Sequence, residues 1–171
     1  MDDRDQVKDY IRAMELLTSG SADDWEALSV RFEGFPHGTD AIVQRRWIIN
    51  AAGGGSKSCV AWMIAKGVDL DFCDDEGYTP VHAALERTDA DRNPILELLL
   101  DGGAPINRKG VNDWTPAHMA AARDDVEALR ILVRHGADLS IRTAIDDYAT
   151  PLEEARHLGM TRAVQYLESV R

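Results

Sequence analysis

The first apolar positions of the chain, Val7, Tyr10, Ile11, Met14 and Leu17, recur at the spacing of one helix face. Ser21-Ala22-Asp23-Asp24, followed by Trp25, Leu28 and Phe32, opens a second helix with a polar cap and an acidic first turn. Gly34-Phe35-Pro36-His37-Gly38 then breaks the pattern. Beyond the break the pattern repeats itself. Thr79-Pro80-Val81-His82-Ala83-Ala84 returns as Thr115-Pro116-Ala117-His118-Met119-Ala120 and again as Thr150-Pro151-Leu152-Glu153-Glu154-Ala155, at spacings of 36 and 35 residues. A fainter copy runs from Trp47-Ile48-Ile49-Asn50-Ala51-Ala52, 32 residues before Thr79, to Gly67-Val68-Asp69.

Each copy reads physically as the same unit. Thr in the cap position satisfies an orphan amide and Pro at the first helical position presets φ, so each Thr-Pro starts a helix. Thr150 with Glu153 completes a reciprocal capping box, which accounts for Glu in the slot that His fills elsewhere. Asn93-Pro94 is expected to start the second helix of its copy in the same way. That helix carries Ile95, Leu96, Leu98, Leu99 and Leu100, apolar on more than one side, and so must lie between neighbours. Gly103 and Gly136 then mark left-handed helix ends before an extended crossing to the next Thr-Pro.

These residues resemble the ankyrin-repeat family, whose repeats carry a Thr-Pro-Leu-His-x-Ala motif. The resemblance covers residues 37 to 171, strongest in the copies at Thr79 and Thr115. It implies an all-α solenoid of stacked helix-turn-helix units with projecting hairpin loops and helical caps. Repeats fall near 37–69, 70–107, 108–140 and 141–171, and residues 1–36 form an N-terminal helical cap or a degenerate repeat. Departures from the period place about three extra residues around Arg87 to Arg92 and two in the last connection, both in loops. At the other end Met160, Ala163, Val164 and Leu167 face inward, with Arg162, Gln165, Glu168 and Arg171 toward water.

Composition sets the class. With 44% apolar and 29% charged residues the chain falls in the globular range, and the longest uncharged stretch, Trp47 to Ser56, is too short to cross a bilayer. The acidic start, Met1-Asp2-Asp3-Arg4-Asp5, matches neither a secretory signal nor a transit peptide, so a cytoplasmic location is expected, with Cys59 and Cys73 as thiols. A net charge of −11 argues against nonspecific nucleic-acid binding. The acidity is uneven: residues 68–101 carry a net −8, and residues 37–67 a net +3. Such a region either keeps an array monomeric or steers a basic protein into place.

Candidates for chemistry fare poorly. Gly53-Gly54-Gly55-Ser56-Lys57-Ser58 has the wrong glycine spacing for a phosphate loop and joins two helices, so a plain turn is expected. His82 and His118 stand at equivalent repeat positions without Cys or carboxylates at ligand spacing, and the resemblance makes them structural hydrogen-bonding residues. His37, His135 and His157 pair with no nucleophile. No catalytic residue, metal or cofactor is expected, and an enzyme or small-molecule sensor in the groove is the weaker alternative.

In ankyrin proteins the loop tips and the first-helix face bind partner proteins. Carried over by position, the candidate surface is Asp74, Asp75, Glu76 and Tyr78 on one tip, Lys109, Asn112, Asp113 and Trp114 on the next, and Arg142, Asp146, Asp147 and Tyr148 on a longer last finger. Glu86, Arg87 and Arg123, near the ends of first helices, complete it. The expected partner is another protein, a basic one in the finer reading, with neither nucleic acid nor membrane involved. An acidic inhibitor of a basic enzyme, of the immunity or antitoxin kind, is the sharper alternative, a structural assembly subunit a further one. Asn107 also resembles ankyrin asparagines that undergo hydroxylation.

Overall fold

The computed structural model describes residues 3–145 and 148–170. Among these there are ten α-helices, in pairs: α1 (Asp3–Ser19) with α2 (Ala22–Arg31), α3 (Trp47–Gly54) with α4 (Lys57–Ala65), α5 (Pro80–Glu86) with α6 (Arg92–Asp101), α7 (Pro116–Ala122) with α8 (Val126–Arg134), and α9 (Pro151–His157) with α10 (Thr161–Ser169). The first members pack in one row, α1 on α3, α3 on α5, α5 on α7 and α7 on α9. The second members form a parallel row, α2 on α4 through to α8 on α10. Between pairs the chain runs out as a finger and returns. The all-α solenoid expected from the repeats is what the chain forms.

Helix boundaries follow the local chemistry. Thr79, Thr115 and Thr150 are extended N-cap residues, each with Pro in the first turn. Left-handed glycines close the second helices of the pairs, Gly103 at φ 91° and Gly136 at φ 87°. One start differs from expectation. α6 begins at Arg92, with Asp91 as its N-cap position, so Asn93-Pro94 lies inside the first turn. Proline is tolerated there because first-turn amides lack intrahelical acceptors anyway. The glycine-rich run is the expected turn: Gly54 ends α3, and Ser56 caps α4 through its hydroxyl, which accepts from Cys59 N at 3.2 Å.

A histidine holds consecutive units together. His82 Nε2 lies 3.0 Å from the Trp114 carbonyl and Nδ1 lies 2.8 Å from Thr79 Oγ1. His118 repeats the arrangement, with the Ala149 carbonyl at 3.0 Å and Thr115 Oγ1 at 2.7 Å. A carbonyl only accepts, so Nε2 must carry the proton and Nδ1 accepts from the threonine hydroxyl. Both rings are fully buried. Each imidazole therefore ties its own helix start to the finger of the next unit.

The N-terminal hairpin is welded on by aromatic packing. Trp47 meets Phe32 and Phe35 edge to face, with centroids 5.5 and 5.3 Å apart, and Phe35 stacks on Trp62 at 5.9 Å. Such pairs contribute about 0.5–1.5 kcal/mol each beyond the area they bury. The face of α1 that turns inward is Tyr10, Ala13, Met14 and Leu17. Val7 and Ile11, read from spacing as part of it, are 44% and 52% exposed. α1 is the end of its row: α3 covers one side, and no further helix among the described residues covers the other.

The fingers stack at backbone contact. Val111 N donates to the Gly77 carbonyl at 2.7 Å, and a Cβ on Gly110 would lie 2.4 Å from that oxygen and 2.7 Å from His82 Cε1. Gly110→Ala is therefore expected to cost about 1–3 kcal/mol through overpacking, read as a shift of the urea midpoint. An unchanged midpoint would mean the fingers can separate freely.

Burial holds the His82 pKa down from 6.5 to about 4, and lowers that of His118 in the same direction. The unfolded chain takes up the proton near 6.5 while the folded chain resists it until about 4. Stability is thus complete above the unfolded value, falls as pH drops through that interval, and is flat below it. The His82 share is of the order of 3 kcal/mol. Urea titrations between neutral pH and pH 4 should show this loss, and His82→Gln, less stable at neutral pH, should show a shallower one. Equal slopes for both proteins would exclude His82 as the source.

Candidate functional site

The residues expected at the surface fall into three places. Asp74, Asp75, Glu76, Tyr78 and Glu86 line one open groove of about 810 Å³ between the first two fingers and the first-row helices. Lys109, Asn112, Asp113 and Trp114 form the tip of the next finger. Arg142 and Tyr148 belong to the last finger, while Asp146 and Asp147 lie outside the described residues.

The acidic finger is built by Asp74. Its Oδ1 accepts from Glu76 N at 3.1 Å and Tyr78 N at 2.7 Å, while Gly77 takes the left-handed turn at φ 87°. Asp74 Oδ2 accepts from Arg45 Nε at 3.0 Å, and the same guanidinium reaches the Glu76 carboxylate. Asp74 is thus mostly consumed by structure. Asp75 and Glu76 are exposed, Glu76 with 70% of its side chain in water, and Asp75 makes no hydrogen bond or ion pair with the described residues. Tyr78 donates its hydroxyl to Glu86 Oε1 at 3.1 Å, and Arg123 reaches the same oxygen at 2.9 Å. Burial, then the Glu86 bond, pushes the Tyr78 phenol up from its ordinary value, so it remains a donor at neutral pH.

The other tips are more self-contained. Lys109 Nζ lies 2.8 Å from Asp113 Oδ2, an oxygen that also accepts from Ala144 N. The lysine bond first, and the Ala144 amide after it, hold the Asp113 carboxyl below the usual range. Asn112 stands in the left-handed region at φ 58°, and the Trp114 ring is half-buried against the core. In the last finger Arg142 grips Glu153 at 2.7 and 3.0 Å and the Tyr148 carbonyl at 2.7 Å, leaving the Tyr148 side chain exposed. The Thr150 backbone amide, then Arg142, bring the Glu153 carboxyl down to about 2.

Arg87 does not belong to this surface. Its guanidinium is buried in the joint between α3 and α5, donating to the Ala52 and Gly55 carbonyls at 3.2 and 2.9 Å and to both oxygens of Asp89 at 3.0 and 2.8 Å. The α3 end presents unsatisfied carbonyls, and a buried cation answers them. Asn107 has a structural task as well, its Oδ1 accepting from Asp138 N at 2.9 Å.

Sequence reasoning missed the near wall of the groove. Tyr10 and Met14 of α1, Val43 and Arg45 of the first finger, and Phe72 all line it. Arg45 also lies 5.4 Å from the Tyr78 ring centroid. The available signal was the net +3 of residues 37–67 beside the net −8 of the following repeat, which demands cross-repeat pairing. Among the described residues no cluster of three or more His, Cys, Asp or Glu is placed to hold a metal. No helix among them is long and apolar enough to cross a membrane. The Cys59 thiol is buried and pushed up to about 12 by desolvation.

The family model for ankyrin repeats (3 copies) matches residues 36–110 and 90–169. Among curated relatives, XBAT34 of Arabidopsis thaliana, which carries an E3 ubiquitin-protein ligase name, is 36% identical over 106 residues, 61% of this chain and 27% of the relative. The mouse RelA-associated inhibitor is 31% identical over 107 residues, 63% of this chain and 12% of its own length. The human BCL-6 corepressor-like protein 1 is 32% identical over 110 residues, 58% of this chain and 6% of its own length. In each case the match spans under a third of the relative. On the strength of the family model and the stacked Thr-Pro units, the chain belongs to the ankyrin-repeat family.

Proposed function

We propose that this chain is a non-catalytic protein-binding module whose principal contact surface is the groove between the first two fingers, extended by the Lys109–Trp114 tip and the exposed Tyr148. One observation carries the reading: exposed carboxylates of Asp75 and Glu76 stand on the lip of a groove whose walls include the apolar faces of Tyr10, Met14, Val43 and Phe72. A rim of one charge around an apolar floor is how an interface combines selection with burial. The partner is a protein with basic groups, the chain works as a monomer, and the setting is a reducing cytoplasm. The names of two relatives, an inhibitor and a corepressor-like protein, are consistent with regulation by binding.

The −8 of residues 68–101 favours a second reading within the same class, an acidic inhibitor that covers a basic enzyme. Its association would fall steeply with salt.

The immobilised chain, incubated with lysate of its native host, should retain a discrete set of proteins. Asp75→Asn with Glu76→Gln should lower retention several-fold, and Tyr78→Ala should lower it further, while Glu127→Gln on the second-row helix α8 should not. Equal retention by wild type and the groove variants would remove the groove from the function. One abundant basic enzyme released by salt would favour the inhibitor reading.

A further inference from the structure

The groove carries a record of what it accepts. At its acidic end the chain's own Arg45 sits on Asp74 and Glu76 with its guanidinium over Tyr78. A planar fork that bonds carboxylates along its edge and lies on an aromatic face is arginine recognition, which an ammonium group does not reproduce. The seat is not electrically full. Among the described residues the ion pairs of Asp74, Glu76 and Glu86 are with Arg45 and Arg123 alone, and Asp75 has none.

The same groove also has an apolar lining. Val43 is 55% exposed at the tip of the first finger, and Met14 and Tyr10 are half-buried beside it. α3 contributes Gly53 and Gly54 to the lining. A Cβ on Gly54 would meet nothing within 4 Å, and one on Gly53 only Ala83, at 3.8 Å or more. That stretch of the groove has no side chains to keep a backbone away.

We propose that the groove binds an extended segment of a partner protein in which an aliphatic residue stands next to an arginine. The aliphatic side chain lies against Val43 and Met14, the backbone passes over Gly53 and Gly54, and the guanidinium takes the seat at Glu76 and Tyr78 by displacing Arg45. This rests on the groove being the contact surface. Arg45 can leave the seat with both turns intact, because neither finger's own turn is built on its side chain. The first is held by the Asp40 carboxylate, which accepts from Ile42 N, Val43 N, Arg45 N and Asn50 Nδ2 at 2.7–3.2 Å. The second is held by Asp74 Oδ1 on its own backbone.

The probe is the peptide acetyl-Gly-Ser-Leu-Arg-Gly-Ser-amide, titrated at low salt into the isotope-labelled chain and followed by amide chemical shifts. Saturable shifts are expected at Gly53, Gly54, Glu76 and Tyr78, with dissociation in the millimolar range. The same peptide with citrulline for arginine, neutral but of the same shape, should bind about tenfold more weakly. Arg45→Ala should tighten binding about threefold or more by vacating the seat. Gly54→Leu should block it while the remaining spectrum stays folded. No saturable shift up to about 10 mM, equal binding of the citrulline peptide, or weaker binding by a folded Arg45→Ala chain would each overturn the proposal. If the peptide fails while lysate capture still depends on Glu76 and Tyr78, the groove remains the contact surface and only its occupant has been misassigned. If both fail, both readings fall.

Discussion

A buried neutral imidazole sets the spacing of this stack. His82 accepts from the hydroxyl that caps its own helix and donates to the Trp114 carbonyl of the next finger; His118 does the same toward Ala149. Unpaired, a ring nitrogen in this dry position costs more than the bond is worth, so the next unit is held in place by the penalty for leaving. That penalty makes the joint directional. Each unit reaches forward, and a unit whose forward neighbour is missing has a polar group to satisfy by other means.

The two places without this histidine show what those means are. Glu153 turns back on Thr150 N and Oγ1 and takes Arg142, closing the last first-row helix on itself. Asn50 stands in the slot of the first repeat and gives its amide to the buried Asp40 carboxylate, in its own finger. The Tyr78 carbonyl takes Asp74 N just as the Trp114 carbonyl takes Gly110 N, but among the described residues no bond arrives at it from α3 as one arrives at Trp114 from α5. What ties the first two fingers is the half-buried Arg45 guanidinium on the largely buried Asp74 and on Glu76 at the surface, together with Arg46 over the Phe72 ring. The Glu76 half is a surface ion pair, of a kind that contributes roughly 0–1 kcal/mol and exchanges readily. The groove lies where the stack has replaced a fully buried imidazole with a half-buried arginine.

Local signals of the repeat were legible because they are local physics: a cap three residues before its partner, a proline in the first turn, a glycine at the left-handed end. Contacts between units were less so. Val7 and Ile11 have the same helical spacing as Leu17, yet only residues facing α3 are covered, and periodicity does not say where a stack stops. Arg87 reads as a surface cation by type and is buried because the carbonyl end of α3 happens to face it. Arg45 lay in the weakest copy of the repeat, where no motif directs attention to the finger. The acidic tip is legible through its place before Thr79-Pro80 in the repeat and through its charge, and the wall opposite it is not, although the positive excess of residues 37–67 is the other half of the same pairing.

The same pairing changes how the acidity should be understood. Of the acids in residues 68–101, Asp71 is held by Arg108, Asp74 by Arg45, Asp89 by Arg87 and Glu97 by Arg134. Before contact, at separations of about a Debye length, an approaching partner responds chiefly to the net charge of the chain, −11, which pairing does not alter. At contact it meets individual groups, and most of these already have cations against them. Among the described residues Asp69, Asp75 and Asp91 have no cation against them and Asp101 meets only His135; of these acids Asp75, beside the outer part of Glu76, is the one that stands at the lip of the groove. On the proposed reading, long-range attraction is diffuse and tolerant of sequence, whereas the decision to stay bound is taken over a few ångströms at one finger. Orientation follows from that division, since only a partner whose cation arrives beside the aliphatic wall gains from both.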